Sequence, residues 1–260
     1  MTTARHIRWL CIFSIAAAVG LSCGTGATPP APSEIALEDV REEVRQIIDP
    51  TRATPANGDF AGRPDRLLET RIWSAEEALA RPACRGGYCG LILLAHGFGG
   101  NTGRFDAIGQ RLAAAGYLVA AVQFPLTNDQ APGGYSTGGI DLQAQPQDLS
   151  AVLDALLAAN RDPQDSLFQR IDEERIGAMG HSAGGTTLLA NTRLSCCIDT
   201  RIRATAYVEP AATFVAALFG ENYSARGPPT LTLQGEIDFP ITPEASREFN
   251  ASLEPPKILV

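Results

Sequence analysis

Histidine is scarce in this chain: His6, His96 and His181 are the three among 260 residues. None stands at ligand spacing from Cys84, Cys89, Cys196 or Cys197, which argues against a mixed Cys/His metal centre. Concentrated basic charge is also missing. The 21 Lys and Arg are dispersed among 29 Asp and Glu for a net charge of -8, and a nucleic-acid partner, which needs a clustered cationic surface, is excluded. The apolar run from Trp9 to Leu21 falls short of the roughly 20 residues of a permanent spanning helix. No internal repeat is found. What is present is a 45% hydrophobic chain of ordinary charge density, enough for one domain of catalytic size with a sizeable core.

The N-terminus is a separate unit. Arg5 and Arg8 precede the apolar run, and small residues and Cys23 follow it, the pattern of an export signal over residues 1–23. Gly20-Leu21-Ser22-Cys23 is similar to a bacterial lipoprotein processing site, which leaves two outcomes open: a lipid on Cys23 anchoring the protein to the cell envelope, or ordinary cleavage and secretion. Residues 24–34, small and Pro-rich, make a flexible tether. Residues 35–260 are expected to form the folded domain.

With Cys11 in the signal and Cys23 at the processing site, Cys84, Cys89, Cys196 and Cys197 remain, an even set that suits an oxidising compartment. Cys84 and Cys89 flank the turn sequence Arg-Gly-Gly-Tyr and are the expected disulfide. Cys196 and Cys197 are adjacent, where a bond is geometrically strained, so they are expected to be free or paired elsewhere.

Residues 35–48 are expected to make a short helix and residues 66–73 a strand. Leu91 to Ala95 is an apolar run ending in glycines, as for a strand buried on both faces of a parallel sheet. Phe105, Ile108 and Leu112 then recur at helical spacing up to Gly116. Residues 118–122 form the next buried strand, and residues 124–146, rich in Gly, Pro and polar side chains, a long functional loop in which Phe124 and Tyr135 either contact substrate or pack on the sheet. Asp148 is expected to open a helix with Leu149, Val152, Leu153, Leu156 and Leu157 on one face. Strands at 175–179, 204–208 and 230–234, helices at 183–194 and 244–253, and a strand from Lys257 complete the pattern. Alternating strands and helices imply an α/β fold, a mostly parallel sheet with helices on both faces. Ligands of such sheets bind beyond the carboxyl ends of the strands.

Three loops there carry chemistry. Gly180-His181-Ser182-Ala183-Gly184-Gly185 joins a strand to a helix, the context a nucleophile elbow requires, with Ser182 as nucleophile. His96-Gly97-Phe98-Gly99-Gly100 follows a strand at the place where an oxyanion loop is expected, which makes the backbone amides of Phe98 and Ala183 the candidate donors. Gly235-Glu236-Ile237-Asp238 offers a late carboxylate: Asp238 by position, with Glu236 and Glu209 in reserve, to hold a histidine in its productive tautomer.

In this order the motifs resemble the α/β-hydrolase superfamily. HGFGG, LAAAGYLVAAVQFP and GHSAGG are similar to the bacterial platelet-activating-factor acetylhydrolase-like and predicted dienelactone-hydrolase-like serine esterases, with chlorophyllases and polyester hydrolases as more distant relatives. The resemblance runs from about Arg66 to the end. It implies hydrolysis of a small or lipid-like carboxylic ester through an acyl-serine intermediate, with no metal or organic cofactor. Superfamily order is serine, acid, then histidine, yet no histidine follows Asp238. The base is therefore expected beyond Val260, the chain being incomplete at its last strand and C-terminal helix and nearly inactive as it stands. A hydrolase-like binding or structural lipoprotein and a peptidase or amidase of the same fold are the alternatives.

Overall fold

The computed structural model describes residues 37–76, 82–134 and 139–260. The chain divides into two units, Met1–Ser33 and Glu34–Val260; the first, with the expected signal, most of the tether and Cys23, lies outside the described residues.

The core of the second unit is a sheet whose central strands are apolar on both sides. Strands β1 (Arg41–Asp49), β2 (Arg66–Ser74), β3 (Cys84–Arg85), β4 (Tyr88–Ala95), β5 (Leu118–Val122), β6 (Ile171–His181), β7 (Ile202–Val208), β8 (Thr230–Leu233) and β9 (Lys257–Leu259) are ordered β1-β2-β5-β4-β6-β7-β8-β9, with β3 paired to β4. β1, β2 and β5 pair antiparallel, and every pairing from β5 through β4 to β9 is parallel. Because strand side chains alternate between faces, Leu91, Leu93 and Ala95 of β4 join Leu118, Ala120 and Val122 of β5 in one cluster, while Leu94, Val119 and Ala121 join a second on the opposite face.

Helices cover both clusters. α1 (Asp106–Ala114) supplies Ala113 to the face of Trp73 and Met179. α2 (Gly139–Arg161) and α3 (Ala183–Arg193) cover the other, where Leu149, Val152, Leu153, Leu156, Leu188 and Leu189 are buried. Each such side chain contributes roughly 1.5–3 kcal/mol relative to exposure. α4 (Val215–Phe219) and α5 (Pro243–Ser252) follow β7 and β8, and Phe249 of α5 seats edge-on against Tyr207, centroids 5.1 Å apart. Helices on both faces of a mostly parallel sheet make this an α/β-hydrolase fold.

Three expectations fail. Residues 41–49 are a strand, not a helix: Val44, Ile47 and Ile48 have helical spacing, but nine consecutive pairings to β2 decide, and Val44 and Ile48 stay about half exposed at this edge. α2 begins at Gly139 rather than Asp148 and runs through Pro146, so the loop after β5 is shorter than the expected 124–146. Nearby side chains also bond this part of the helix backbone: the Pro146 carbonyl accepts from Asn191 Nδ2 (2.9 Å) and that of Ala144 from Arg52 Nη1 (3.1 Å). Cys196 and Cys197 are bonded to each other in the turn after α3. The expected Cys84–Cys89 bridge is present, across the directly paired residues of the β3–β4 hairpin.

A buried ion pair fastens α2 to the sheet. Arg66 is fully buried; its Nε donates to Asp148 Oδ1 (2.6 Å) and its Nη2 to Asp141 Oδ1 (2.9 Å), while Arg52 adds a bond to Asp148 (2.7 Å).

Candidate active site

The β6–α3 junction forces Ser182 into a conformation few serines adopt, φ 52° and ψ −117°, a left-handed geometry costing about 1–3 kcal/mol. The surroundings over-determine it. The Ser182 amide donates to the Val208 carbonyl (3.0 Å), and its own carbonyl accepts from Gly185 (2.9 Å) and Ala211 (3.1 Å). A turn this tight needs residues without side chains: a Cβ on Gly180 would lie 2.3 Å from the Gly184 carbonyl oxygen. Ser182 is half-buried at the carboxyl end of the sheet, with Ala183 opening α3.

β4 delivers residues 96–100 alongside. A Cβ on Gly97 would touch both Ser182 Cβ (3.0 Å) and His181 Nδ1 (3.3 Å), so this loop lies against the elbow. His96 braces it. Its ring is 2% exposed; Nε2 accepts from the Phe124 amide (3.1 Å) and Nδ1 donates to the Gly97 carbonyl (2.8 Å). Both nitrogens are thereby used and the proton is fixed on Nδ1. Burial holds the imidazole below its ordinary pKa, outweighing the hydrogen bond to Gly97. Phe124 packs on that ring, centroids 4.9 Å apart, and is fully buried, which removes it from the candidate substrate contacts; Tyr135 lies outside the described residues. The Gly99 amide donates to the Thr127 carbonyl (2.8 Å) and that of Gly100 to Gly97 (3.1 Å). The amides of Phe98 and Ala183 take part in none of these loop and turn hydrogen bonds.

The acidic candidates separate. Asp238 follows β8, is half-buried and accepts from the Ile241 amide (2.6 Å), which closes its own loop. Glu236 is exposed. Glu209, at φ 47°, accepts from the Gly235 amide (3.2 Å) and places its other oxygen 3.5 Å from His181 Nε2. That contact was readable in principle: parallel pairing sets His181 opposite Val208, so Glu209 is its neighbour once the strand order is known.

A strained serine between a parallel strand and a helix has the backbone geometry of a nucleophile elbow, here on an α/β-hydrolase fold. A family profile described as PET hydrolase-like matches residues 43–253, and the chain belongs to that family. Among curated proteins, cutinase est1 of Thermobifida alba is 32% identical over 106 residues, 40% of this chain and 31% of that protein. A cutinase of Thermobifida fusca (strain YX) is 24% identical over 151 residues, 57% of this chain and 39% of that protein. The chain thus matches well under half the length of these two relatives. Among solved structures, a ferulic acid esterase from Streptomyces cinnamoneus superposes with a TM-score of 0.58 at 20% identity, covering 90% of this chain and 74% of that one, a likeness of fold.

Proposed function

We propose that this protein is an exported serine hydrolase of carboxylic esters that acts through an acyl-serine intermediate on Ser182. The observation that carries the reading is the positive-φ Ser182 at a strand-to-helix turn with Gly97 of the loop of residues 96–100 packed against it; among the described residues the backbone amides of Phe98 and Ala183 have no loop or turn partner. In the reaction Ser182 Oγ attacks the ester carbonyl, the two amides hold the resulting oxyanion, the alcohol leaves, and water releases the acid. Membership of a PET hydrolase-like family and similarity to cutinases support ester substrates. Two disulfides support export to an oxidising compartment, with cleavage or lipidation at Cys23.

Attack requires a base for the serine proton. His96 does not serve, since both its nitrogens are engaged in the loop. We propose that the base is a histidine outside residues 1–260; β9 is parallel to β8 and so ends at the edge of the sheet that carries Ser182 and Asp238, which supports that reading. Asp238, or Glu209 beside it, orients that imidazole. A second reading rests on the Glu209 carboxylate 3.5 Å from His181 Nε2, which would make His181 the base.

The test is to read the gene past codon 260, express its full product, and assay a short-chain nitrophenyl ester and the matching amide. Replacing Ser182 with Ala is expected to lower kcat by about 10³-fold or more, with ester turned over far faster than amide. Hydrolysis indifferent to Ser182 overturns the mechanism, and preference for the amide makes the protein an amidase. Turnover by residues 1–260 alone that disappears in His181→Ala assigns the base to His181.

A further inference from the structure

A buried line of hydrogen bonds connects α3, which follows Ser182, to the loop of residues 96–100, and no step of the proposed reaction uses it. It starts at Thr187, whose Oγ1 lies 3.3 Å from the Ala183 carbonyl oxygen one turn back along α3. The same hydroxyl is 2.6 Å from Gln145 Oε1 and gives its single proton chiefly there. Gln145 Nε2 donates to Thr127 Oγ1 (2.8 Å), and the Thr127 carbonyl receives the Gly99 amide (2.8 Å). Gly99 adjoins Phe98. The line thus begins on Thr187, one turn of α3 after the residue that carries one proposed oxyanion donor, and ends beside the residue that carries the other.

We propose that Gln145 is a positioning residue that sets the spacing between the elbow and the loop of residues 96–100; its catalytic consequence rests on the function proposed above. Thr127, Gln145 and Thr187 are each at most 1% exposed, so water does not compete for these bonds, and leaving any one unmade strands a buried polar group. A primary amide offers a donor and an acceptor on one rigid plane, which fixes the separation of the two threonines. The platform under Gln145 is itself anchored. Asp141, one turn earlier in α2, bonds buried Arg66 and receives the Leu126 amide (3.1 Å), and Pro146 holds Asn191 of α3. Residues 124–127 are therefore gripped by His96, Asp141 and Gln145 in succession. An oxyanion is stabilised only when its donors lie about 2.7–3.1 Å from where the oxygen forms. A loop released by a few tenths of an ångström weakens the transition state while leaving ground-state binding intact.

Gln145→Met in the full gene product keeps length and removes both bonds. The expected result is a fall in kcat of about tenfold or more, short of the 10²–10³ lost with an outright oxyanion donor, at unchanged KM. Hydrogen exchange at the Gly99 amide is expected to quicken while that of Ala115, bonded to Arg111 in α1, does not. Thr187→Val is expected to reproduce the loss, and the double variant to be no worse than the poorer single one, as for links of one chain. A purely structural glutamine would instead lower Tm with kcat and Gly99 exchange unmoved, which overturns the proposal. Absence of Ser182-dependent hydrolysis in the parent protein overturns the functional reading separately. Gly99 exchange then still decides whether Gln145 sets the loop, and unchanged exchange refutes it.

Discussion

The carbonyl oxygen of Ala95 lies 2.1 Å from the point where a Cβ on Gly184 would sit. The end of β4 and the start of α3 are thus in backbone contact, and that contact brings the loop of residues 96–100 to Ser182. Gly184→Ala forces the two apart. It is expected to cost at least about 3 kcal/mol, the upper end for overpacking by a single group. Gly177→Ala, in the same β6 strand, meets nothing nearer than the Ala204 carbonyl at 3.5 Å; it is expected to be neutral or to stabilise by up to about 1 kcal/mol. Thermal unfolding of the two variants beside the parent checks both; equal losses would remove the steric account of the elbow.

Asp148 is the carboxylate on which Arg66 and Arg52 converge. Asp148→Ala leaves the Arg66 guanidinium buried with half its partners gone and is expected to cost about 3–5 kcal/mol. Arg52, a quarter exposed, keeps access to water, and Arg52→Ala is expected to cost about 1 kcal/mol or less. Urea unfolding at pH 7 measures the difference, and similar costs would mean that Arg66 is less dependent on Asp148 than its hydrogen bonds indicate.

Acid should destabilise the fold through His96 before most carboxylates titrate. Burial holds the folded imidazole below its ordinary pKa, whereas in the unfolded chain it titrates near about 6.5. Between those values the unfolded state binds the extra proton, so this contribution is present above about pH 6.5 and is lost as pH falls. The unfolding free energy is expected to decline from pH 7 to pH 5, with a shallower slope in His96→Gln. Identical slopes would show that the proton is taken up elsewhere.

The sheet and the tight strand-to-helix turn at Ser182 were legible because their sequence signals are local. Leu91 to Ala95 and Leu118 to Val122 are apolar on every residue, and only a strand covered on both faces uses such runs. The glycines around Ser182 are close together in sequence and read as one tight turn, although the atoms that exclude a Cβ at Gly184 and Gly185 belong to Ala95, His96 and Pro210. What was not legible depends on partners distant in sequence. Val44, Ile47 and Ile48 fit a helix as well as a strand until β2 is there to pair with them. Pro146 was read as the end of a loop, yet it lies inside α2, which packs against α3 through Asn191. Gln145 carries no local signature at all, because its role depends on Thr187 and Thr127, 42 and 18 residues away. The bond between Cys196 and Cys197 was set aside on general grounds of strain, yet the turn accommodates it, with the Cys197 amide held by Leu194.

The β3–β4 hairpin has a consequence for which changes of length the domain tolerates. Gly86 and Gly87 turn it with φ of 60° and 92°, and the bridge joins the directly opposed Cys84 and Cys89. The number of residues between the cysteines is therefore fixed by the covalent link as well as by the turn. A one-residue slip of β4 would exchange Leu91 and Leu93 with Ile92 and Leu94 between opposite faces of the sheet and would misplace the loop that begins at His96. Insertions and deletions should consequently be absent from this hairpin among functional variants and gather at the Cys196–Cys197 turn and in the surface loops, where a change in length shifts no strand that leads to Ser182.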